Sequence, residues 1–473
     1  MSTDRDFVLI VALTVLALLL RLWHINADLW LDEIMTVTDY MRLSPFEAAT
    51  TFHAANQHLL NSVLGSISIR IFGESEWAIR LPALLFGVAA IPVFYCLARR
   101  VTARREAIVA TLFLTFSYHH VWFSQNARGY SAMIFFTVLS SFFLVRWLDK
   151  PAGNGSRDWL WFSLCGSLGM LSLLNFAFVL AGQFLIALAV LLTTGERSRI
   201  RVLVFCALLI LVLTLLGYAA TIPAMITYFT TSVEGGGWNN TLSFMRVLAR
   251  GLTSGLTLLA LPVLVFGAVI AFTGWISYLD RKRFIALMLV IPVLFNFTVL
   301  GLLHWGAFPR SFLYVLPFGI LILVRGAFGV GDWLAGRFGR AQWLVYILPA
   351  LLLAASVVML GHNYRFPKQN YTQALAYTRA QAAPDDVIAA VGHMAIGYRS
   401  YYGPDLVFPR DARELDILRQ AGHRVWVLYS FSWDTRHRLP DIQDLIDTEF
   451  QPIHTFPGTL GDGNVYLVVA PPL

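Results

Sequence analysis

Eleven apolar stretches, most of them close to the length that crosses a bilayer, punctuate the first 360 residues: roughly 7–23, 81–98, 107–122, 131–148, 159–175, 177–193, 202–220, 253–275, 285–303, 311–328 and 343–360. A spanning helix needs about 20 mostly apolar residues. In lipid each backbone N–H and C=O must find its partner within its own segment, so such stretches are expected to be helices. This predicts an α-helical polytopic membrane protein with about 11 transmembrane helices. Composition agrees: 13% of the 473 residues are charged, against about 25% in soluble domains. The net charge of +7 sits mostly in arginines between apolar runs, so it reads as topology and no nucleic-acid partner is implied. The partner is the lipid bilayer. Cys96, Cys165 and Cys206 all lie inside apolar runs. They imply no disulfide framework and leave the redox compartment open. The first run lacks a small-residue cleavage site and is read as a retained span.

The arginines set the orientation. Arg99, Arg100, Arg104 and Arg105 follow the second stretch, and Arg146, Lys150 and Arg157 flank the loop after the fourth. Arg197, Arg199 and Arg201, then Arg281, Lys282 and Arg283, then Arg325, Arg337 and Arg340 fall on the same face. By the positive-inside rule that face is cytoplasmic. The N-terminus is then cytoplasmic, and residues 361–473 are extracytoplasmic. The tight pair 159–175 and 177–193 is kept as two spans because merging them breaks the charge alternation.

Two units follow: a transmembrane unit, 1–360, and an outer unit, 361–473. The outer loop 24–80 contains "HLLNSVLGSISIRIF", which suits a helix lying at the interface. A second outer segment, 221–250, carries "VEGGGWNN", a flexible glycine-rich turn. The tail has ten Lys/Arg and twelve Asp/Glu, as a water-facing module would. "KQNYTQALAYTRAQAA", "ARELDILRQAG" and "PDIQDLIDTEF" have helical spacing, with Gly422 a stop for the second. "DDVIAAV", "RVWVLYS" and "NVYLVVA" read as strands. Their alternation suggests a small C-terminal α/β domain.

The chemistry-bearing residues gather on the outer face. "LWLDEIMT" places Asp32 and Glu33 side by side just beyond the first span. One reading is a solvated acidic pair opening an interfacial helix, where acids suit the N-terminus. The other makes one of them a general base. Trp30 and Leu31 would then partly desolvate the pair, and mutual repulsion would raise one pKa. "SQNARGY", 124–130, presents Arg128 with little neutralising acid. "HWGAFPRSFLY", 304–314, presents Arg310, with His304 and Tyr314 nearby. Each arginine is either an interfacial anchor or a bidentate phosphate ligand. Asn56, Gln57 and His58 form a further polar cluster. No HxxxH, CxxC or DxD spacing appears in the outer loops, so no metal site is expected. A carboxylate beside two arginines at the bilayer edge suits a substrate whose phosphate lies at headgroup level and whose tail stays in lipid.

The order of these segments resembles a known family. "LWLDE", then "NQHLLNSVLGSISIRIFGESEWAIRLPALLFGVAAIPVFYCLARR", "SQNARGYSAMIFF" and "FPRSFLYVLPFGILIL" are similar to polyprenyl-phosphate-sugar glycosyltransferases of the GT-C superfamily. They resemble most the bacterial relatives of dolichyl-phosphate-mannose protein mannosyltransferases, glycosyltransferase family 39. The resemblance implies a GT-C fold, with Asp32 as catalytic base and Glu33 assisting it. Arg128, with Gln125 and Tyr130 beside it, falls on the family's SQxARxY arginine, and Arg310 on its late Pro-Arg-Tyr motif. His58 matches a His-Pro-Pro-Leu-Tyr segment whose prolines and tyrosine are missing here, and Ser311 stands where tyrosine is usual. These departures bear on sugar or acceptor identity. Some relatives place a metal near these loops; nothing in this sequence demands one, and no cofactor is expected.

The expected function is transfer of a sugar, with inversion, from a polyprenyl-phosphate donor to a hydroxyl acceptor on protein, lipid or glycan at the cell membrane. Asn56, His58, Gln125, Tyr130 and His304 would line the donor or acceptor pocket. The rival is a transporter or flippase. Transporters place polar groups in mid-span, often with internal repeats, and this chain keeps them in its outer loops.

Overall fold

A computed structural model describes residues 2–151, 157–231, 241–254, 256–338, 343–459 and 463–473. The expected "VEGGGWNN" turn lies outside the described residues. Among the described residues, eight helices are long and apolar enough to cross a membrane: Glu76–Val101, Tyr130–Leu148, Phe176–Thr193, Arg197–Tyr218, Thr257–Arg281, Arg283–Leu302, Pro309–Arg337 and Leu344–Arg365. They coincide with eight of the eleven expected stretches. The other three positions are helical but depart from a simple span. Ser2–Leu22 carries Asp4 in its first turn and Arg21 in its last. Asp158–Ser172 has only 15 residues. The expected span 107–122 is two helices, Arg104–Phe116 and Tyr118–Ser124. The break is at Ser117, whose hydroxyl accepts from the His120 N–H at 3.3 Å. A serine that caps a new helix interrupts the previous one, because its extended backbone cannot continue the ladder. The tight pair does resolve into two helices, parted at residues 173–175.

Helices Ala260–Arg281 and Leu316–Phe338 approach through glycines. A Cβ at Gly274 would lie 1.9 Å from the Ile322 carbonyl oxygen, and one at Gly326 would lie 1.8 Å from that of Ile270. Small residues let backbones come this close where lipid supplies no hydrophobic drive for helix association. Helix Leu59–Phe72 turns its polar stripe inward: Asn61, Ser62, Ser66 and Ser68 are buried, while Ile71 and Phe72 are exposed. Asn61 donates to the Ala127 carbonyl at 2.8 Å. That arrangement suits an apolar surrounding for the outward face.

The C-terminal unit holds a four-stranded sheet: β1 (Val387–Ala390), β2 (Val425–Tyr429), β3 (Gln451–Phe456) and β4 (Val465–Ala470), in the order β1-β2-β4-β3. β1 and β2 run parallel, and the other pairs are antiparallel. Helices Tyr371–Gln381, Ala412–Gln420 and Pro440–Glu449 accompany them, and Gly422 takes the left-handed stop conformation (φ 90). Strand β3 has no counterpart among the expected strands. It is an almost wholly exposed edge with a register shift near Pro452, so it lacks the alternation that marks a half-buried strand.

Alternation along β2 builds two cores. Val425 and Val427 face Leu415, Ile442 and Ile446. Trp426 and Leu428 face the other way, into a core that includes Leu29, Ile34, Val37 and Met41 of the first loop. One face of the sheet therefore shares its core with the loop that carries the Asp-Glu pair.

Gly326→Val is expected to lower the thermal midpoint and folded yield of the purified protein, by more than the roughly 1–3 kcal/mol of ordinary overpacking. Gly329→Val, at a position with nothing within 4 Å of an added Cβ, is the control and should not. Equal behaviour of the two would refute close packing at Gly326.

Candidate active site

The Asp-Glu pair sits at the start of a short helix, Leu31–Thr36. Successive residues of a helix point in directions about 100° apart, so adjacent acids enter different surroundings. Glu33 is fully buried and Asp32 is partly exposed.

Glu33 is held from every side. Arg80 grips it in bidentate fashion, Nε to Oε1 and Nη2 to Oε2, both at 2.9 Å. Lys368 Nζ lies 3.1 Å from Oε2. The backbone N–H groups of Trp30 and Ala127 donate to the carboxylate at 2.9 and 2.7 Å. Burial by itself would push the Glu33 pKa up. Arg80 and Lys368 overcome it and hold the group at about 2, below its usual 4.5. Neighbouring cations, not repulsion within the pair, thus decide its titration. The guanidinium of Arg80 is in turn completed by the carbonyls of Ile25, Ala27 and Asp28. A buried ion pair tolerates desolvation only with such full hydrogen bonding.

Asp32 faces the open side. Its Oδ2 lies 3.1 Å from Arg128 Nη1 and 3.9 Å from Arg310 Nη1. Arg128 is buried, and Asn56 Oδ1 accepts from its Nη1. The amide of Asn56 ties back to the Asp32 carbonyl at 3.3 Å and to Thr36 Oγ1 at 3.2 Å. His58 Nδ1 accepts from the Gly129 N–H at 2.7 Å and from Arg128 Nε at 3.3 Å. Burial, with Arg128 and Arg310 nearby, drives the His58 pKa well below its ordinary value, so the ring is neutral and serves as acceptor. The Tyr130 ring lies edge-on to His58 at 5.4 Å and beneath the Arg128 guanidinium at 5.9 Å. Arg310 packs over Phe308 at 5.1 Å and stays about half exposed. The site is thus a carboxylate and two guanidinium groups, one rigidly set and one at the rim.

Residues 59–218 match the family profile described as dolichyl-phosphate-mannose-protein mannosyltransferase. The fold is similar to the crystal structure of ArnT from Cupriavidus metallidurans in the apo state, with TM-score 0.58 and 17% identity over 99% of this chain and 98% of that one. The same protein bound to undecaprenyl phosphate matches at TM-score 0.58 and 16% identity, with the same coverage of both chains. The archaeal oligosaccharyltransferase AglB from Archaeoglobus fulgidus, in complex with an inhibitory peptide and a dolichol-phosphate, matches at TM-score 0.51 and 12% identity over 98% of this chain and 74% of that one. The chain shares the fold of these solved structures, and its residues 59–218 resemble the mannosyltransferase family. No curated protein sequence matches it. Nothing in these matches supports a transporter.

Within this fold the remaining expected site residues divide. Gln125 is buried and points away from Asp32: its Nε2 donates to the carbonyls of Arg21 and Trp23 at 3.0 and 2.5 Å. It ties the 124–130 loop to the end of the first helix. His304 follows helix Arg283–Leu302 in a left-handed conformation (φ 54) and is exposed. Among the described residues it makes no hydrogen bond or ion pair with the Asp32 group. No group of three or more His, Cys, Asp or Glu side chains gathers in a metal-holding arrangement among the described residues. Two residues of the cluster were not singled out from sequence. Arg80 had a readable signal, a charge inside the apolar run "WAIRLPALLF", which calls for a partner. Lys368 had none, because it lies 335 residues from Glu33.

Arg80→Met leaves Glu33 buried with half its countercharge, and is expected to destabilise the protein by about 3–5 kcal/mol, read by thermal unfolding. The Glu33 contribution follows its lowered pKa: it is full above pH about 4.5, declines below that, and is gone as pH falls through about 2. Glu33→Gln should flatten that acid dependence. An unchanged acid profile in this variant would show that the carboxylate carries none of it.

Proposed function

We propose that this chain is a membrane glycosyltransferase that moves a sugar from a polyprenyl-phosphate donor to a hydroxyl acceptor on the extracytoplasmic face, by a single displacement with inversion. The observation that carries the reading is the contact of the Asp32 carboxylate with Arg128 and Arg310, at 3.1 and 3.9 Å. A carboxylate and two guanidinium groups at one point are the parts that such a transfer needs.

Asp32 takes the proton of the acceptor hydroxyl as its oxygen attacks the anomeric carbon. The bond from that carbon to the phosphate oxygen breaks, and polyprenyl phosphate leaves with the electron pair. Negative charge grows on the leaving phosphate, where the Arg128 and Arg310 donors stabilise it. Arg128 is preset by Asn56 and His58, so it needs little reorganisation. Arg310, at the rim, has the freedom to shift from Asp32 to an arriving phosphate. The undecaprenyl phosphate and dolichol-phosphate named for the ArnT and AglB structures support the donor class. The sugar and the acceptor, whether protein, lipid or glycan, stay open. The arginine bias between spans supports a cytoplasmic N-terminus and an extracytoplasmic C-terminal unit.

In liposomes with a polyprenyl-phosphate-sugar donor, Asp32→Asn is expected to reduce transfer by at least the 10²–10⁴-fold typical of a lost general base, with donor binding retained. Wild-type turnover in this variant would overturn the base assignment. Arg128→Ala should weaken donor binding and lower kcat together, and a change confined to acceptor KM would count against phosphate contact. Orientation has its own check. A cysteine placed by Trp433→Cys, where the native side chain is 72% exposed, should react with an impermeant maleimide in intact cells. Reaction only after lysis would reverse the topology.

A further inference from the structure

The segment that leaves the last long helix, residues 366–372, runs directly against the turn that carries Asp32. Lys368 is buried there, and three partners hold its ammonium. Glu33 Oε2 lies 3.1 Å away, the Gln125 carbonyl accepts from it, and the Trp122 ring lies beneath it at 4.9 Å. Gln369 Oε1 accepts from the Leu31 N–H at 2.7 Å. Asp28 accepts from the N–H of Thr372 at 2.7 Å and from its hydroxyl at 3.0 Å. Tyr402, deeper in the C-terminal unit, accepts from the Leu29 N–H at 2.7 Å.

The three backbone N–H groups at Leu29, Trp30 and Leu31 are therefore all taken by side chains, from Tyr402, Glu33 and Gln369 in turn. Two of these three acceptors come from beyond residue 366. A helix start leaves such donors unsatisfied, and here their partners fix where the helix begins. The next residue is Asp32.

We propose that Lys368 and Gln369 are positioning residues for the transfer reaction: they lock the Leu29–Glu33 turn so that Asp32 is presented to the acceptor hydroxyl. This rests on Asp32 acting as the base. Neither side chain touches the reacting atoms. Lys368 acts through Glu33, and Gln369 acts through the backbone of Leu31. The geometry also predicts a pH signature. Burial pulls the Lys368 pKa down to about 7, against the opposing pull of Glu33 and with Arg80 adding to the fall. The other groups around it are the Gln125 carbonyl and the Trp122 ring, and a cleft lined by His24, Asn363, Tyr364 and Thr459. Below about 7 the ammonium holds Glu33. Above it the lysine loses its charge, and the turn loses one of its two cations.

The test uses the full-length protein in nanodiscs, with transfer kinetics and amide hydrogen exchange measured together. Lys368→Met is expected to lower kcat on the order of 100-fold, the cost of misplacing a catalytic group by about 1 Å, with donor KM within about threefold. Lys368→Arg keeps the charge at every accessible pH. It should restore most of the turnover and remove the alkaline limb near pH 7. Gln369→Ala, the milder change, should speed exchange at the amides of residues 29–33 without lowering the thermal midpoint. Wild-type kcat in Lys368→Met overturns the proposal. So does an alkaline limb unmoved in Lys368→Arg, or unchanged exchange at 29–33 in Gln369→Ala. The exchange arm does not depend on turnover. If Asp32→Asn proves fully active, the base assignment falls while the lock on the turn is still decided.

Discussion

The Glu33 carboxylate, buried and gripped by Arg80 and Lys368, is the contact on which the rest of the site depends. It joins three parts of the chain that are remote in sequence: the first loop, the start of helix Glu76–Val101, and the segment after helix Leu344–Arg365. A fourth part, the 124–130 loop, is drawn in by the Ala127 N–H and the Gln125 carbonyl. An ion cluster of this kind costs much in desolvation and returns it only when each charge is fully bonded. It is thus a demanding geometric specification more than a source of stability. Because Arg80 also collects the carbonyls of Ile25, Ala27 and Asp28, the backbone entering the Asp-Glu pair is fixed on both sides of the carboxylate.

That arrangement separates two acids that look equivalent on paper. Glu33 faces inward and does structural work. Asp32, one residue earlier and about 100° away around the helix, keeps partial exposure and meets Arg128 and Arg310. The two arginines differ in the same way. Arg128 is buried and set by Asn56 and His58, while Arg310 is half exposed at the rim. A buried cation beside a half-exposed one suits the proposed binding and release of a phosphate. The C-terminal sheet supports this. Trp426 and Leu428 on one face of β2 share a core with Leu29, Ile34 and Val37, so the C-terminal unit and the Asp32 loop are packed together.

Much of this could be read from the residues. The apolar runs gave the helical, multi-pass class. The terminal helices and three of the four strands followed from ordinary periodicity and from the stop at Gly422. The missed strand β3 is exposed and bulged, which erases the alternation a strand is recognised by. The expected span at 107–122 divides at Ser117, where a local cap outweighs continuous hydrophobicity. Among site residues, Asp32, Arg128, Arg310, Asn56, His58 and Tyr130 do come together. Gln125 shares a loop with Arg128 but bonds the end of the first helix, and among the described residues His304 makes no hydrogen bond or ion pair with the Asp32 group, because a loop motif does not fix which tertiary neighbours its side chains meet.

The sequence alone determined the solvent of each segment. Long uncharged runs can only lie in lipid or a dry interior, and that physical requirement acts residue by residue along the chain. It also brought the chemistry-bearing side chains onto the loops. Which of two adjacent acids would be buried, and which cations would neutralise it, was settled only by tertiary structure. The partners of Glu33 lie 47 and 335 residues away, and a contact of that kind exists only after the helices have packed. The stretch "LWLDEIMT" therefore names the acids, and the fold assigns them different surroundings.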